Sequence, residues 1–145
     1  MTKRLARVAH CYRCVYRWQM RRRKPTMCPR CKSKLWNVPR IRPLKLGHGL
    51  GIEEILSPHR GAILRLARRY GGRNLRVFGS VARREADEGS DVDLIVDWDR
   101  DVSLLDIAGF RVELKRLLHR DVDTVEEDLL HWAVKPQVQA EATPL

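Results

Sequence analysis

Phe78-Gly-Ser-Val-Ala-Arg-Arg-Glu-Ala-Asp-Glu-Gly-Ser-Asp-Val-Asp-Leu-Ile-Val96 is the stretch on which the reading of this chain turns. The apolar run Leu75 to Phe78 predicts a strand entering a tight turn at Gly79-Ser80, followed by a short helix over about 81–87 and a second strand from Ser90 to Val96. A glycine at 79 leaves room for backbone to approach a triphosphate. The amides of Ser80 and the helix start are expected to receive phosphate oxygens, with the Ser80 hydroxyl as a further contact. Strand side chains alternate, so Asp91 and Asp93 point to one face about 7 Å apart, which suits shared coordination of hard magnesium ions. Leu94 and Val96 then face the opposite layer. A lone D-x-D is common on solvated loops and a lone Gly-Ser is only a turn, so the order of the parts carries the inference.

Outward from this stretch, Ser57-Pro58 reads as an N-cap followed by proline, and Ile63, Leu66, Ala67 and Tyr70 recur at helical spacing, predicting a helix over 58–70 that ends at Gly71-Gly72. Arg65, Arg68 and Arg69 fall largely on its other side as a solvated face. On the C-terminal side a helix is expected over about 103–118. The alternating run Asp121-Val-Asp-Thr-Val125 then places Asp123 as a third carboxylate on a neighbouring strand, able to complete a second metal site or take an acceptor proton. Asp121 is expected beside the site rather than in it. Asp97, Asp99 and Asp101 read as a solvated loop, and His119 and His131 as helix-surface residues. A last helix is expected over about 126–133, and the segment 136–145, which opens on Pro136, as a mobile tail.

Gly79-Ser80, ten residues, then Asp91-x-Asp93, with Ala82-Arg83-x-Glu85-Ala86 between them, resembles the MNT (minimal) branch of the polymerase-β nucleotidyltransferases over roughly half the chain. The resemblance implies an α/β (α+β) nucleotidyltransferase fold with a small mixed sheet flanked by helices. It also implies that Gly79 and Ser80 bind the phosphates of ATP and that Asp91, Asp93 and Asp123 hold catalytic magnesium. The family often reads Ala-Arg-Gly-Glu-Ala where Arg84 stands here, a change that adds bulk and charge beside the nucleotide-side helix. Small proteins of this branch are commonly antitoxins that transfer AMP to a tyrosine of a HEPN ribonuclease toxin. The resemblance therefore implies such a toxin as partner in a hetero-oligomer. Few residues follow the acidic triad, so a partner surface is expected to supply part of the site. The competing readings are a zinc-ribbon regulator whose nucleotidyltransferase fold only binds a partner, and nucleotide transfer to RNA or a small molecule.

The start of the chain has a different character. Residues 1–45 hold 15 of the 29 Lys and Arg residues and none of the 18 Asp and Glu residues. Interleaved with Tyr12, Tyr16, Trp18 and Trp36, this charge points to DNA, RNA or an acidic surface as a partner, whereas a run such as Arg21 to Lys24 can equally be a solubilising face. Cys11-Tyr-Arg-Cys14 and Cys28-Pro-Arg-Cys31 are two C-x-x-C knuckles separated by thirteen residues. That spacing predicts a structural zinc site, which a segment of this size needs in order to fold. The stretch from Cys11 through Trp36 resembles the zinc ribbons of many prokaryotic regulatory proteins. Rubredoxin-like iron sites place glycine after the second cysteine, where Val15 and Lys32 stand here, so zinc is the expected metal. Short strands are expected at Val15–Met20 and Lys34–Val38, with Trp18 and Trp36 packed beneath the knuckles.

The expected organisation is a β-rich zinc ribbon over 1–45, a linker over 46–57, a minimal nucleotidyltransferase domain over 58–135, and the tail; residues 39–51, with two prolines and three closely spaced glycines, read as a hinge. No apolar run is long enough to span a bilayer, and the basic start at Lys3 and Arg4 lacks a signal-peptide core, so no membrane association and a cytoplasmic location are expected.

Overall fold

The computed structural model describes residues 7–20, 25–41 and 46–145. The basic start at Lys3 and Arg4 and the run Arg21 to Lys24 lie outside these. The chain divides into two compact units, residues 1–42 and 43–145. Among the described residues no helix is long and apolar enough to cross a membrane.

In the first unit, β1 (Val8–His10) pairs antiparallel with β2 (Arg17–Gln19), with Ala9 opposite Trp18. The strand expected over Val15–Met20 is shorter because Val15 takes a left-handed conformation, φ +59°, as the last residue of the first knuckle turn. Lys34–Val38 is a series of turns rather than a strand. Its carbonyls are used elsewhere: the Trp36 carbonyl accepts from the Tyr12 amide at 2.7 Å, and the Leu35 carbonyl from Arg13 Nε at 3.2 Å. Trp18 and Trp36 do pack together, edge to face at 5.1 Å.

The second unit is a four-stranded mixed sheet in the order β5-β4-β3-β6. Its elements are α1 (Ile52–Ile55), α2 (Arg60–Arg69), β3 (Gly72–Phe78), α3 (Gly79–Ala82), β4 (Val92–Trp98), α4 (Leu104–Leu118), β5 (Val122–Val125), α5 (Lys135–Glu141) and β6 (Thr143–Pro144). β3 runs antiparallel to β4 and β6, and β4 runs parallel to β5. The parallel pair needs a crossover, which α4 supplies. Alternation along β3 and β4 sends Leu75, Val77, Val92, Leu94 and Val96 into one layer. There they join Ile63 and Ala67 of α2 and Phe110, Leu114 and Leu118 of α4 in the core. The opposite positions of β4 include Asp93 and Asp97.

Five expectations about this unit need correction. The helix forecast for 58–70 begins as a separate 3-10 turn, Ser57–His59, for which Leu56 is the N-cap, and the α-helical part starts only at Arg60. Pro58 has no amide to donate and crowds the residue before it, so α1 and α2 cannot merge into one helix. The segment forecast as a linker is not a free hinge. Gly47, Gly49 and Leu50 donate backbone hydrogen bonds to the carbonyls of Arg83, Arg84 and Ala86, and Leu50 and Ala86 form a β-bridge. A Cβ on Gly47 or Gly49 would come within 2.6 Å of a carbonyl of that strap's partner, so the glycines serve close approach. This pairing also ends α3 at Ala82 rather than near 87, since residues 83–86 run alongside the strap.

The last two corrections concern the C-terminal end. Residues 126–133 hold only the 3-10 turn Glu127–Leu129, and the helix comes later, as α5. Pro136 sits in the first turn of α5, where a missing amide costs nothing, so it opens a helix instead of announcing a tail. β6 then adds to the edge of the sheet through the pairs Val77 to Thr143 and Arg76 to Pro144. Val138 and Glu141 are buried and Leu145 packs on the core, so the end of the chain is an integral part of the fold.

Candidate active site and metal centre

Gly79 and Ser80 stand where β3 passes into α3, and Gly79 takes a left-handed φ of +74°. Beside it, Phe78 pairs with Asp93 across the β3-β4 ladder. The glycine is required first by the acid: a Cβ at 79 would overlap Asp93 Oδ2. The Gly79 amide is also engaged, donating to Glu141 Oε1 at 3.2 Å. The absence of a side chain at 79 thus serves a neighbouring carboxylate as well as any incoming phosphate.

Asp93 and Asp123 are direct partners in the parallel β4-β5 ladder. Adjacent strands lie about 4.8 Å apart, so the two carboxylates rise side by side from the same face. Val122 and Thr124 are buried on the other side of β5. Asp91 lies two residues before Asp93, at the entrance to β4, and is exposed, as is Asp123; Asp93 is half-buried. Burial first, then the like charges of Asp123 and Asp91, and less strongly Glu141, hold the Asp93 carboxyl above the ordinary carboxylate range, opposed by Arg83. Like charges on either side of Asp93 thus raise its cost of ionisation, a cost that a bound cation would relieve.

The loop before Asp91 is braced from within and from outside. Ser90 Oγ donates to Asp87 Oδ1 at 2.7 Å and accepts from the Asp87 amide, while Gly89 N donates to Asp87 Oδ1. Arg120, in the turn after α4, donates to the carbonyls of Asp87 and Ser90. Val92 N donates to the Asp121 carbonyl at 2.8 Å, which registers the start of β4 against β5. Asp121 itself forms an exposed ion pair with Lys115, beside the acidic cluster. Asp97, forecast in a loop, lies on β4 and accepts from Asn74, with Arg76 nearby. Asp99 pairs with Arg73 at 2.8 Å. His119 caps α4 in a left-handed conformation.

Arg84, where glycine is frequent in the family, also has a left-handed backbone, φ +56°, and its side chain pairs with Glu54 at 2.5 Å. The arginine therefore adopts a conformation that glycine takes without strain, and its head is drawn toward α1. Arg83 points differently. Its Nη1 donates to both oxygens of Glu141, at 3.2 and 3.1 Å, and its Nε to Glu85 at 2.7 Å. Sequence reasoning missed Glu141 and Arg120. Neither stands in a motif, and each acts across at least thirty residues of chain.

The family model for the nucleotidyltransferase domain matches residues 59–144, which include the turn, all three acids and Glu141. The chain belongs to the nucleotidyltransferase domain family. The protein adenylyltransferase MntA of Thermococcus cleftensis is 39% identical to this nucleotidyltransferase over 90 residues, spanning 62% of the chain and 88% of the relative. A relative from Methanocaldococcus jannaschii assigned as a protein adenylyltransferase is 32% identical over 80 residues, spanning 55% and 86%. Among solved structures, one assigned as a minimal nucleotidyltransferase superposes with a TM-score of 0.58 at 43% identity, covering 68% of the chain and all of that protein. A toxin-antitoxin complex with AMP-PNP shares the fold at 21% identity and a TM-score of 0.50, covering 58% of the chain and 69% of that one.

The first unit carries a separate candidate centre. The sulfurs of Cys11, Cys14, Cys28 and Cys31 all lie within 4.8 Å of one another, with Cys11 to Cys31 and Cys14 to Cys28 at 3.7 Å. A tetrahedral ion with metal-sulfur bonds of about 2.3 Å separates its ligands by about 3.8 Å, so the four thiols fit one ion. The knuckles share one pattern: Cys11 N donates to Tyr16 O and Val15 N to Cys11 O, just as Cys28 N donates to Ser33 O and Lys32 N to Cys28 O. Val15 and Lys32 both have left-handed backbones, φ +59° and +57°, so the turn forms without the glycine of rubredoxin-like knuckles. The missing glycines therefore do not discriminate between zinc and iron. At Cys28, desolvation raises the thiol, but amide hydrogen bonds from Cys31 and Arg30 and the neighbouring sulfurs outweigh it and bring the group down to about 7. At Cys14, desolvation leads and the thiol is pushed up to about 11.

Proposed function

We propose that this nucleotidyltransferase transfers AMP from ATP to a protein hydroxyl, with a tyrosine of a HEPN-type ribonuclease toxin as acceptor, and so acts as an antitoxin. The observation that carries the reading is the in-register pair Asp93 and Asp123, with Asp91 two residues upstream, against a turn whose glycine makes room for Asp93. The names of the adenylyltransferase relatives support AMP as the transferred group, and the toxin-antitoxin complex of the same fold supports the kind of partner.

In this reading Asp91, Asp93 and Asp123 hold magnesium, which supplies Lewis-acid stabilisation of charge at the α-phosphate. Gly79 and Ser80 bring main chain and a hydroxyl to the nucleotide phosphates. Exposed Asp123 takes the proton as the acceptor oxygen bonds to the α-phosphorus and the bond to pyrophosphate breaks. The test combines the purified protein, ATP, magnesium and the product of the adjacent gene. A gain of one AMP in mass, mapped to a tyrosine and absent without the divalent ion, is the expected result. No modification under conditions where an active relative modifies its own partner overturns the reading.

For the first unit we propose a structural zinc ribbon that binds nucleic acid. Arg30 lies over the ring of exposed Tyr16 at 5.7 Å, and that ring stacks on Trp18, a cationic and aromatic face suited to phosphates and bases. Chelation of the metal is expected to abolish ordered burial of Trp18 and Trp36, read by tryptophan fluorescence. Salt-sensitive binding to nucleic acid should disappear with it, while the melting transition of residues 43–145 remains. One mole of zinc per mole of protein by elemental analysis is expected; iron in its place, or an unchanged fluorescence signal after chelation, contradicts the assignment.

A further inference from the structure

Glu141 is the most buried carboxylate among the described residues, with 5% of its surface exposed, and it lies fifty residues from Asp91 in sequence. Burying a carboxylate is costly unless it is paired and hydrogen-bonded. Here it accepts from the Gly79 amide, from Arg83 Nη1 through both oxygens, and from Gln137 Nε2. The pairing is structural in form, but its place is not neutral. Gly79 is packed against the Asp93 carboxylate on one side and bonded to Glu141 on the other, so the three groups form one cluster. Arg83 belongs to the same turn, its amide donating to the Gly79 carbonyl at 3.1 Å, and its charge opposes the upward shift of Asp93.

A guanidinium whose charge reaches the carboxylate of Asp93 is a competitor for any divalent cation bound there. Arginine is always charged and pairs well with carboxylates, so an unrestrained Arg83 would bond to the acidic cluster and occupy donors the cation needs. Its second partner, Glu85, is about half exposed, and an ion pair in that position is screened and weak. The buried Glu141 is the stronger restraint.

We propose that Glu141 is a positioning residue that holds the Arg83 guanidinium away from the Asp91, Asp93 and Asp123 carboxylates and pins the Gly79 turn, keeping the cluster open to a divalent cation. The inference rests on the reading of those acids as a metal site. Glutamine at 141 keeps an acceptor for the Gly79 amide but turns its other head atom into a donor facing the donors of Arg83 and Gln137. The guanidinium is then released. The effect is specific to the cation: affinity falls, and excess cation recovers activity.

The test is Mn2+ binding to the full chain, followed by electron paramagnetic resonance and without nucleotide, for wild type, Asp93→Asn, Glu141→Gln and the double variant Arg83→Gln with Glu141→Gln. Expected are a site in wild type that Asp93→Asn removes, an affinity about tenfold weaker in Glu141→Gln, and recovery to within about threefold of wild type in the double variant. A merely structural role would not be rescued by removing a second side chain. Unchanged affinity in Glu141→Gln, or no recovery in the double variant, overturns the proposal while leaving the metal site intact. Absence of a wild-type site that depends on Asp93 overturns the metal reading, and the proposal with it. Thermal melting reports whether each variant folds. If Glu141→Gln does not, the double variant, in which no guanidinium is left unpaired, must itself bind Mn2+ within threefold of wild type, and weaker binding overturns the proposal.

Discussion

Replacing Asp93 with asparagine is expected to abolish AMP transfer and at the same time raise the melting temperature of the metal-free protein. Lewis-acid stabilisation by a bound cation is worth several kcal/mol, so losing a central ligand corresponds to a fall of about 1000-fold or more in rate. The stability effect has the opposite sign. Desolvation and the charges of Asp123 and Asp91 raise the Asp93 carboxyl above its unfolded value. Such a group contributes stability only while protonated: the contribution is fully present below the unfolded pKa and is lost as pH rises through the folded one. At neutral pH Asp93 is therefore ionised at a cost that asparagine does not carry. Because the residue is half exposed, the gain is small, about 2 °C. The advantage of the variant should shrink as pH is lowered through the carboxylate range. Magnesium should stabilise the wild type and leave the variant unmoved. Differential scanning calorimetry with and without magnesium, paired with the transfer assay, checks all of these; a variant less stable than metal-free wild type at pH 7, or one that still transfers AMP, contradicts the account.

Gly79→Ala is expected to cost about 1–2 kcal/mol of stability and to reduce transfer by at least about 100-fold. Two separate penalties meet at this position. Alanine at φ +74° is strained whatever the space around it, and its Cβ would overlap the Asp93 carboxylate. The carboxylate is the mobile end of a side chain, so the fold can yield by swinging it aside, which explains a modest stability cost. That same movement takes Asp93 out of register with Asp123 and disturbs the amide bond to Glu141. The signature is a protein that still folds, by circular dichroism, and has lost its Mn2+ site. A folded Gly79→Ala protein with a wild-type Mn2+ site would show that Asp93 tolerates the methyl group and that the turn matters for phosphate alone.

Much of this was legible before any coordinates. The alternation of β4 and β5 places Asp93 and Asp123 opposite the buried Val92, Leu94, Val122 and Thr124, because a half-buried strand leaves only one arrangement for such a pattern. The two C-x-x-C knuckles likewise announce a sulfur cluster, since their spacing closes a tetrahedron with little freedom elsewhere. Misreadings fell where a residue's local meaning depends on what it later touches. Gly47, Gly49 and Gly51 look like a hinge and are a strap, because small residues permit close approach as well as freedom. Pro136 looks like a stop and is the first turn of a helix. Ser57 looks like a cap and lies inside a 3-10 turn, because α1 arrives from upstream.

By itself, then, the sequence determined the chemistry available at the site, its three carboxylates and glycine turn, and the four-thiol centre, since each is written in local spacing that backbone geometry converts directly into position. Only the tertiary structure decided what surrounds those groups. Glu141 reaches the Gly79 amide and Arg83, Arg120 latches the loop before Asp91, and β6 completes the sheet. These contacts join residues from about thirty to nearly seventy positions apart, and no local periodicity encodes a pairing that forms only once the sheet and its helices have closed around the core.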